Sequence, residues 1–206
     1  MMKISRRYVF VATIGTALGV CCVAFAGGGN VRPSRAKAKG YSLIEMAAIT
    51  AYYNSYFITF GPSPSNPPPD VPIQILVADA TVSRGTWFYV PVYYADDAGG
   101  APAGFPANID DQAADAEFLE NAVLTGYGIS TLVVAVDGKV TRLDGSYISG
   151  VTSPVPLVDG SPPGSHYICS AAFLTPLSPG THEVAVGGII DGEPVLFLYY
   201  AVTVGE

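Results

Sequence analysis

The last strand-rich stretch constrains this chain more than any other. PLSPGTHEVAVGGIIDGEPVLFLYYAVTV, Pro176 to Val204, reads as a β-hairpin, with one strand from about Thr181 to Ile190 and a second from about Glu193 to Val204. Asp191-Gly192 stands between them as a turn pair that tolerates positive φ. Pro179-Gly180 makes the turn that feeds the first strand. From Val195 to Tyr200 every residue of the second strand is apolar, which predicts a strand inside a sheet with both faces covered. A hairpin of this kind needs further strands and a second layer before it is stable in water.

Those strands are predicted upstream. Val71 to Ala78 reads as a strand, then WFYVPVYY from Trp87 to Tyr94. TLVVAV and KVTRL flank Asp137-Gly138 as a second hairpin, and HYICSAAFL precedes the closing one. SPVPLVDGSPPGS reads as a turn-rich stretch. About seven strands with turn signals between them give an immunoglobulin-like antiparallel β-sandwich over residues 71–206. Alternation puts Trp87, Tyr89, Pro91 and Tyr93 on one face and Phe88, Val90, Val92 and Tyr94 on the other. Pro91 has no N–H, so that strand is expected at an edge or bulged there. Residues 41–70 read as a helix with a broad apolar stripe from Leu43, ending near Phe60, followed by a proline-rich connection. A short helix from Asp110 to Asn121, with Asp110 or Asp111 near its N-terminus, is expected in the long insertion after Gly99-Gly100.

The first 26 residues have the pattern of an export signal: basic Lys3, Arg6 and Arg7, an apolar run from Tyr8 to Ala26, and Ala24-Phe25-Ala26 as a small-x-small cleavage site. Ser5-Arg6-Arg7-Tyr8-Val9-Phe10 resembles a twin-arginine signal. Retained, the same run would be a membrane anchor near the lower length limit of a span. After cleavage no membrane span remains, and the protein is expected in the periplasm, at the cell surface or secreted. Residues 27–40 read as a basic flexible linker carrying Arg32, Arg35, Lys37 and Lys39. Gly40 followed by YSLIE also resembles the processing site of type IV pilins, whose mature chain would begin at Tyr41. Cleavage after Ala26 removes Cys21 and Cys22, so Cys169 stays alone and reads as a small buried hydrophobe.

From Tyr41 onward the only bases are Arg84, Lys139 and Arg142; three against 17 acids leave a formal net charge of −14. A body of that sign does not bind nucleic acid through phosphate contacts.

The order of landmarks resembles a family of exported bacterial proteins. The landmarks are Asn66-Pro67 with Asp70, then GTWFYVPV, VDGKV, PLSPGTHEVAVGG and YAVTV. The last two pieces are similar to the final hairpin of bacterial immunoglobulin-like domains. The resemblance implies the sandwich fold and no particular activity.

Two clusters are candidates for a site. Asp96 and Asp97 end a strand, and Asp110, Asp111, Asp115 and Glu117 follow in the insertion; together they could offer the oxygens that calcium requires. Trp87, Tyr89 and Tyr93, with Tyr52, Tyr53 and Tyr56 on the helix, could form a stacking surface for a sugar or a partner, or fill the core. His166 and Cys169 lie three apart in a strand and do not converge on zinc, while His182 suits a packed, hydrogen-bonded place at a sheet end. No Gly-x-Ser-x-Gly, His-Glu-x-x-His, P-loop or dinucleotide motif is present. The expectation is therefore a non-catalytic exported β-sandwich that binds an envelope or extracellular ligand, with calcium as the one candidate cofactor. The alternatives are a glycan hydrolase using paired carboxylates of the Asp96–Glu117 region and a structural envelope subunit.

Overall fold

The computed structural model describes residues 30–54, 67–109, 111–157 and 162–206, the side chains at 122 and 123 aside. The expected export signal with Cys21 and Cys22, the expected helix end at Phe60, and Asp110 lie outside the described residues.

The chain forms two stacked sheets. The four-stranded sheet has the order β1-β3-β7-β6, from Gln74–Ile75 (β1), Phe88–Asp96 (β3), Gly164–Leu174 (β7) and Ile148–Leu157 (β6). The five-stranded sheet has the order β2-β9-β8-β4-β5, from Ala80–Val82 (β2), Glu193–Val204 (β9), Gly180–Ile190 (β8), Ile129–Val136 (β4) and Lys139–Leu143 (β5). The orders match the A-B-E-D and G-F-C-C′ sheets of the immunoglobulin-like sandwich. Two departures occur at the start of the chain, where β1 runs parallel to β3 and β2 parallel to β9.

Both predicted hairpins form. Asp137 and Gly138 take φ of 49° and 76°, and Asp191 and Gly192 take 52° and 87°, the two-residue turns whose twist matches paired strands. Alternation then fills the space between the sheets: Leu132, Val134 and Val136 of β4, Val184 and Val186 of β8, and Tyr200, Val202 and Val204 of β9 meet Phe88, Val90, Ala172 and Leu174. Each such side chain contributes about 1.5–3 kcal/mol by leaving water.

The strand covered on both faces is β7, buried without a break from Tyr167 to Leu174, and not β9. One reason is the helix α1, Leu43–Asn54, which lies on the outer face of the four-stranded sheet. Leu43, Met46, Ala47 and Ala51 pack there on Tyr89, Tyr167, Cys169 and Phe173. Its start is fixed by a reciprocal cap, in which Ser42 N–H donates to Glu45 Oε2 at 2.7 Å and Glu45 N–H to Ser42 Oγ at 3.3 Å. A second helix, α2 (Gln112–Glu117), and the π-helical turn Phe118–Leu124 close the end of the sandwich, with Phe118 and Leu119 on Ala95, Ile148 and Ile168.

Residues 30–40 do not behave as a flexible linker. Val31 bridges Leu174, Arg32 N–H donates to the Phe173 carbonyl at 2.9 Å, and Tyr147 OH donates to the Arg32 carbonyl at 3.0 Å. Lys39 and Gly40 turn the chain tightly between Ala38 and Tyr41, and Ala38 is fully buried.

Three other expectations are corrected. The strand expected over Val71 to Ala78 is only the two-residue β1, and β2 follows beyond that range at Ala80–Val82. SPVPL, read as turn, belongs to β6, so the strands number nine among the described residues. Finally, β3 lies between β1 and β7 and is bulged as Pro91 led one to expect, its register against β7 shifting between Pro91 and Tyr93; the bulge at Val92 reverses the expected alternation beyond it.

Candidate functional site

That bulge decides what the aromatic residues can do. Tyr89 points under α1, fully buried, with its ring edge-on to Phe173 at 5.7 Å and its hydroxyl donating to Cys169 Sγ at 3.8 Å. Trp87 packs half-buried on the same cluster. Tyr93 is turned to the opposite face, toward the inter-sheet core and the apolar cluster at the end of the sandwich, and Tyr94 takes its place by stacking on Tyr167 at 5.6 Å. Trp87, Tyr89 and Tyr93 therefore form no shared platform: α1 covers the face on which a ligand would stack.

The same covering sets the chemistry of Cys169. Burial pushes its thiol up to about 11, against the smaller opposing effect of the Tyr167 and Tyr89 hydroxyls. Since the thiolate is the reactive form, native protein at about pH 8 should leave Cys169 unmodified by iodoacetamide over hours. Unfolded protein should react within minutes, as followed by intact mass; labelling of the native protein at the unfolded rate would contradict the buried placement.

The acids are also dispersed, and Asp96, Asp97 and Asp111 are each bound to main chain. Asp96 is buried, its Oδ1 accepting from Ala98 N–H at 3.0 Å and its Oδ2 from Asn54 Nδ2 at 3.4 Å. Asp97 Oδ1 accepts from Ser165 N–H at 2.7 Å and His166 N–H at 2.8 Å, which ties the end of β3 to the start of β7. Asp111 caps α2, accepting from Ala113 and Ala114 N–H at 3.1 and 3.2 Å. Asp115 is buried against Gly150, and Glu117 is exposed. Among the described residues no three His, Cys, Asp or Glu side chains converge as a metal site.

A Ser-His-Asp contact does exist, at the end of the five-stranded sheet. His182 Nδ1 lies 2.8 Å from Asp137 Oδ2, and His182 Nε2 lies 2.8 Å from the Ser178 carbonyl and 3.3 Å from Ser178 Oγ. A general base needs a free lone pair on Nε2. Here the nearest atom is a carbonyl oxygen, which can only accept, so the arrangement favours an imidazolium donating from both nitrogens. It clamps the Asp137-Gly138 turn and the start of β8 together, with Asp137 Oδ1 also accepting from Glu183 N–H at 3.0 Å.

The Asp137 bond raises His182 above its ordinary 6.5, with burial opposing. Burial pushes the Asp137 carboxyl up, but His182 and the Glu183 N–H outweigh it and hold it below its ordinary 3.8. The histidine contribution to stability is thus complete below 6.5 and lost as pH rises through its raised value. The aspartate contribution is present above 3.8 and lost as pH falls through the lowered value. The difference in unfolding midpoint between the native chain and His182→Gln should be largest near pH 5 and shrink by about pH 9; a constant difference would remove the clamp.

The strand β9 carries exposed apolar side chains. Val195, Phe197 and Tyr199 are 39%, 41% and 55% exposed; the register against β8 shifts between Val186 and Gly187, which bulges Phe197, so that Leu196 packs on the outer face of the sheet and Leu198 on the inter-sheet core. β2 lies beside β9 only at Val202–Val204, and the Asp79 carboxylate accepts from Ala201 N–H at 2.8 Å where β2 gives out. Among the described residues, no strand lies beside β9 on that edge from Glu193 to Tyr200. An open groove of about 530 Å³ also runs between Val71–Gln74 and the turn after β2, with Lys39 and Arg84 at its rim. Among the described residues no buried polar side chain lines it.

Compared with known protein families, characterised proteins and solved structures, the chain matches none. No described helix is long and apolar enough to cross a membrane. The sequence reading missed the Ser42–Glu45 cap, although Ser-x-x-Glu before an apolar run is its signal, and the His182–Asp137 clamp, which has no signal in sequence order.

Proposed function

We propose that the protein is an exported, non-catalytic β-sandwich that binds a partner at the cell envelope or outside the cell, through the open edge of β9. The exposed apolar side chains of Val195, Phe197 and Tyr199 along that strand support this reading. An unpaired edge offers a row of main-chain donors and acceptors to an incoming extended segment, and alternate apolar side chains add grip. Soluble proteins usually block such edges with charge or proline; from Val195 to Tyr200 this one has neither.

The test is a photoreactive side chain in place of Tyr199, in cells that make the protein natively. One discrete envelope partner should be trapped, and adding Phe197→Lys should abolish the product without lowering the unfolding midpoint. The control is the same probe in place of Tyr127, 53% exposed on another part of the surface. Equal trapping from both positions would defeat the reading.

A further inference from the structure

The groove between Val71–Gln74 and the turn after β2 differs in charge from the rest of the body. From Tyr41 onward the chain carries 17 acids and only three Lys or Arg. None of the residues lining this groove of about 530 Å³ is acidic, and two, Lys39 and Arg84, are basic. Among the described residues neither of these cations makes an ion pair with a carboxylate.

Both cations stand on ordered turns. Lys39 sits in the two-residue turn that Ala38 and Tyr41 close with two main-chain hydrogen bonds of 2.9 Å, next to buried Ala38. The basic segment expected as a free linker thus delivers Lys39 to a fixed place. Arg84 sits in the turn Ser83–Thr86. Thr86 N–H and Thr86 Oγ1 both donate to the Ser83 carbonyl, at 3.3 and 2.7 Å, and Gly85 takes the φ of 84° that such a turn requires. The walls are fixed as well, with Gln74 N–H donating to the Trp87 carbonyl at 2.8 Å and Gly205 N–H to the Val82 carbonyl at 2.9 Å. The main chain around the groove is therefore ordered before any ligand arrives.

We propose that this groove binds an anionic sugar, its carboxylate or phosphate held by Lys39 and Arg84 and its hydroxyls by Gln74, Thr81, Ser83 and Thr86. A guanidinium presents paired N–H donors in the geometry of a carboxylate or phosphate, and an ammonium adds a point charge. A cleft of one sign in a body of the other gathers small anions that the rest of the surface repels. The volume falls within the range of about 300–1,000 Å³ typical of small-molecule sites. No aromatic ring lines the groove, so a neutral sugar has nothing to stack on and charge does the selecting. Two cations in an acidic body are too few for a nucleic acid.

Trp87, the only tryptophan, directly follows Thr86 and reports on the groove without a label. Glucuronate and glucose-6-phosphate are titrated into the native chain, with glucose and inorganic phosphate as comparisons, and binding is read by calorimetry and by Trp87 emission. At least one charged sugar should bind saturably with a dissociation constant at or below about 1 mM, and glucose should not bind. The preferred sugar tells a carboxylate ligand from a phosphate one. Lys39 and Arg84 are both exposed, so Lys39→Gln and Arg84→Gln should keep the unfolding midpoint while each weakens binding about tenfold. Lys139→Gln, at an exposed position on β5, should bind like the native chain. Failure of both charged sugars to bind by calorimetry would overturn the proposal. So would glucose binding as tightly as they do, or Lys139→Gln losing as much affinity as Arg84→Gln. Inorganic phosphate binding as tightly as the better charged sugar would also overturn it, leaving an adventitious ion only. The outcome is independent of the β9 edge, since no residue from Glu193 to Tyr200 lines the groove.

Discussion

Gly187→Ala should destabilise the fold by about 3 kcal/mol, because overpacking at this site cannot relax. A methyl group at this position would lie 2.1 Å from the Val195 carbonyl oxygen and 2.7 Å from Leu196 Cα. Both are main-chain atoms of the neighbouring strand, so no rotamer change makes room. The site is where the β8–β9 register shifts, between Val186 and Gly187. Accommodating the methyl would push β9 away from β8 along the hairpin that anchors the five-stranded sheet. For a domain of this size the unfolding midpoint should fall by about 6–12 °C. Gly126→Ala is the matched control: nothing lies within 4 Å of its added methyl, and it should be neutral or stabilise by under about 1 kcal/mol. Similar midpoints for the two variants would mean that β8 and β9 are not in the register described.

The second large effect is expected at the other end of the chain. Compared with a protein beginning at Gly27, one beginning at Tyr41 should lose about 4 kcal/mol of stability. It loses the Arg32 N–H bond to Phe173, the Thr175 N–H bond to Asn30, and the Tyr147 bond to the Arg32 carbonyl, at about 1 kcal/mol each. It also loses buried Ala38 and the packing of Val31 on the inter-sheet core, about 1 kcal/mol more. The midpoint difference between the two chains should be about 8–16 °C. Equal midpoints would show residues 30–40 to be dispensable and would make a mature chain starting at Tyr41 admissible. With the contacts described, such a cut in the folded protein would fall in the tight turn at Lys39-Gly40.

What could be read from the sequence was local. The Asp-Gly pairs at 137 and 191 dictate their turns through positive φ alone, and the strands beside them follow. The strand β6 was hidden because Pro154 and Pro156 read as breakers. It is tolerated because β6 lies at a sheet edge and its register against β7 is interrupted between Thr152 and Leu157, where the prolines fall. The exposure of β9 was hidden for the converse reason: six apolar residues in a row look buried, but how much of each face is covered depends on partners elsewhere in the chain. The aromatic site failed on one residue, Val92, whose bulge moves Tyr93 and Tyr94 to exchanged faces. The acids failed because clustering in sequence is not convergence in space. Asp96, Asp97 and Asp111 each sit at an element end, where a carboxylate serves the nearest N–H groups. The His182–Asp137 contact spans 45 positions and exists only because Val136 pairs with Val184.

The place of β7 in the four-stranded sheet bears on how the chain comes into being. β3 and β6 do not touch each other; both pair with β7, which starts at Gly164. In the other sheet β4 waits for β8, and β2 for β9. A ribosome working from the N-terminus therefore makes nearly four-fifths of the protein before either sheet can close, leaving the short β1–β3 contact and the β4–β5 hairpin as the early pairings between strands. The nascent chain stays open through most of its synthesis, a state that a threading translocase can accept. A chain that stops short of Gly164 forfeits the sandwich as a whole and not merely its last strands.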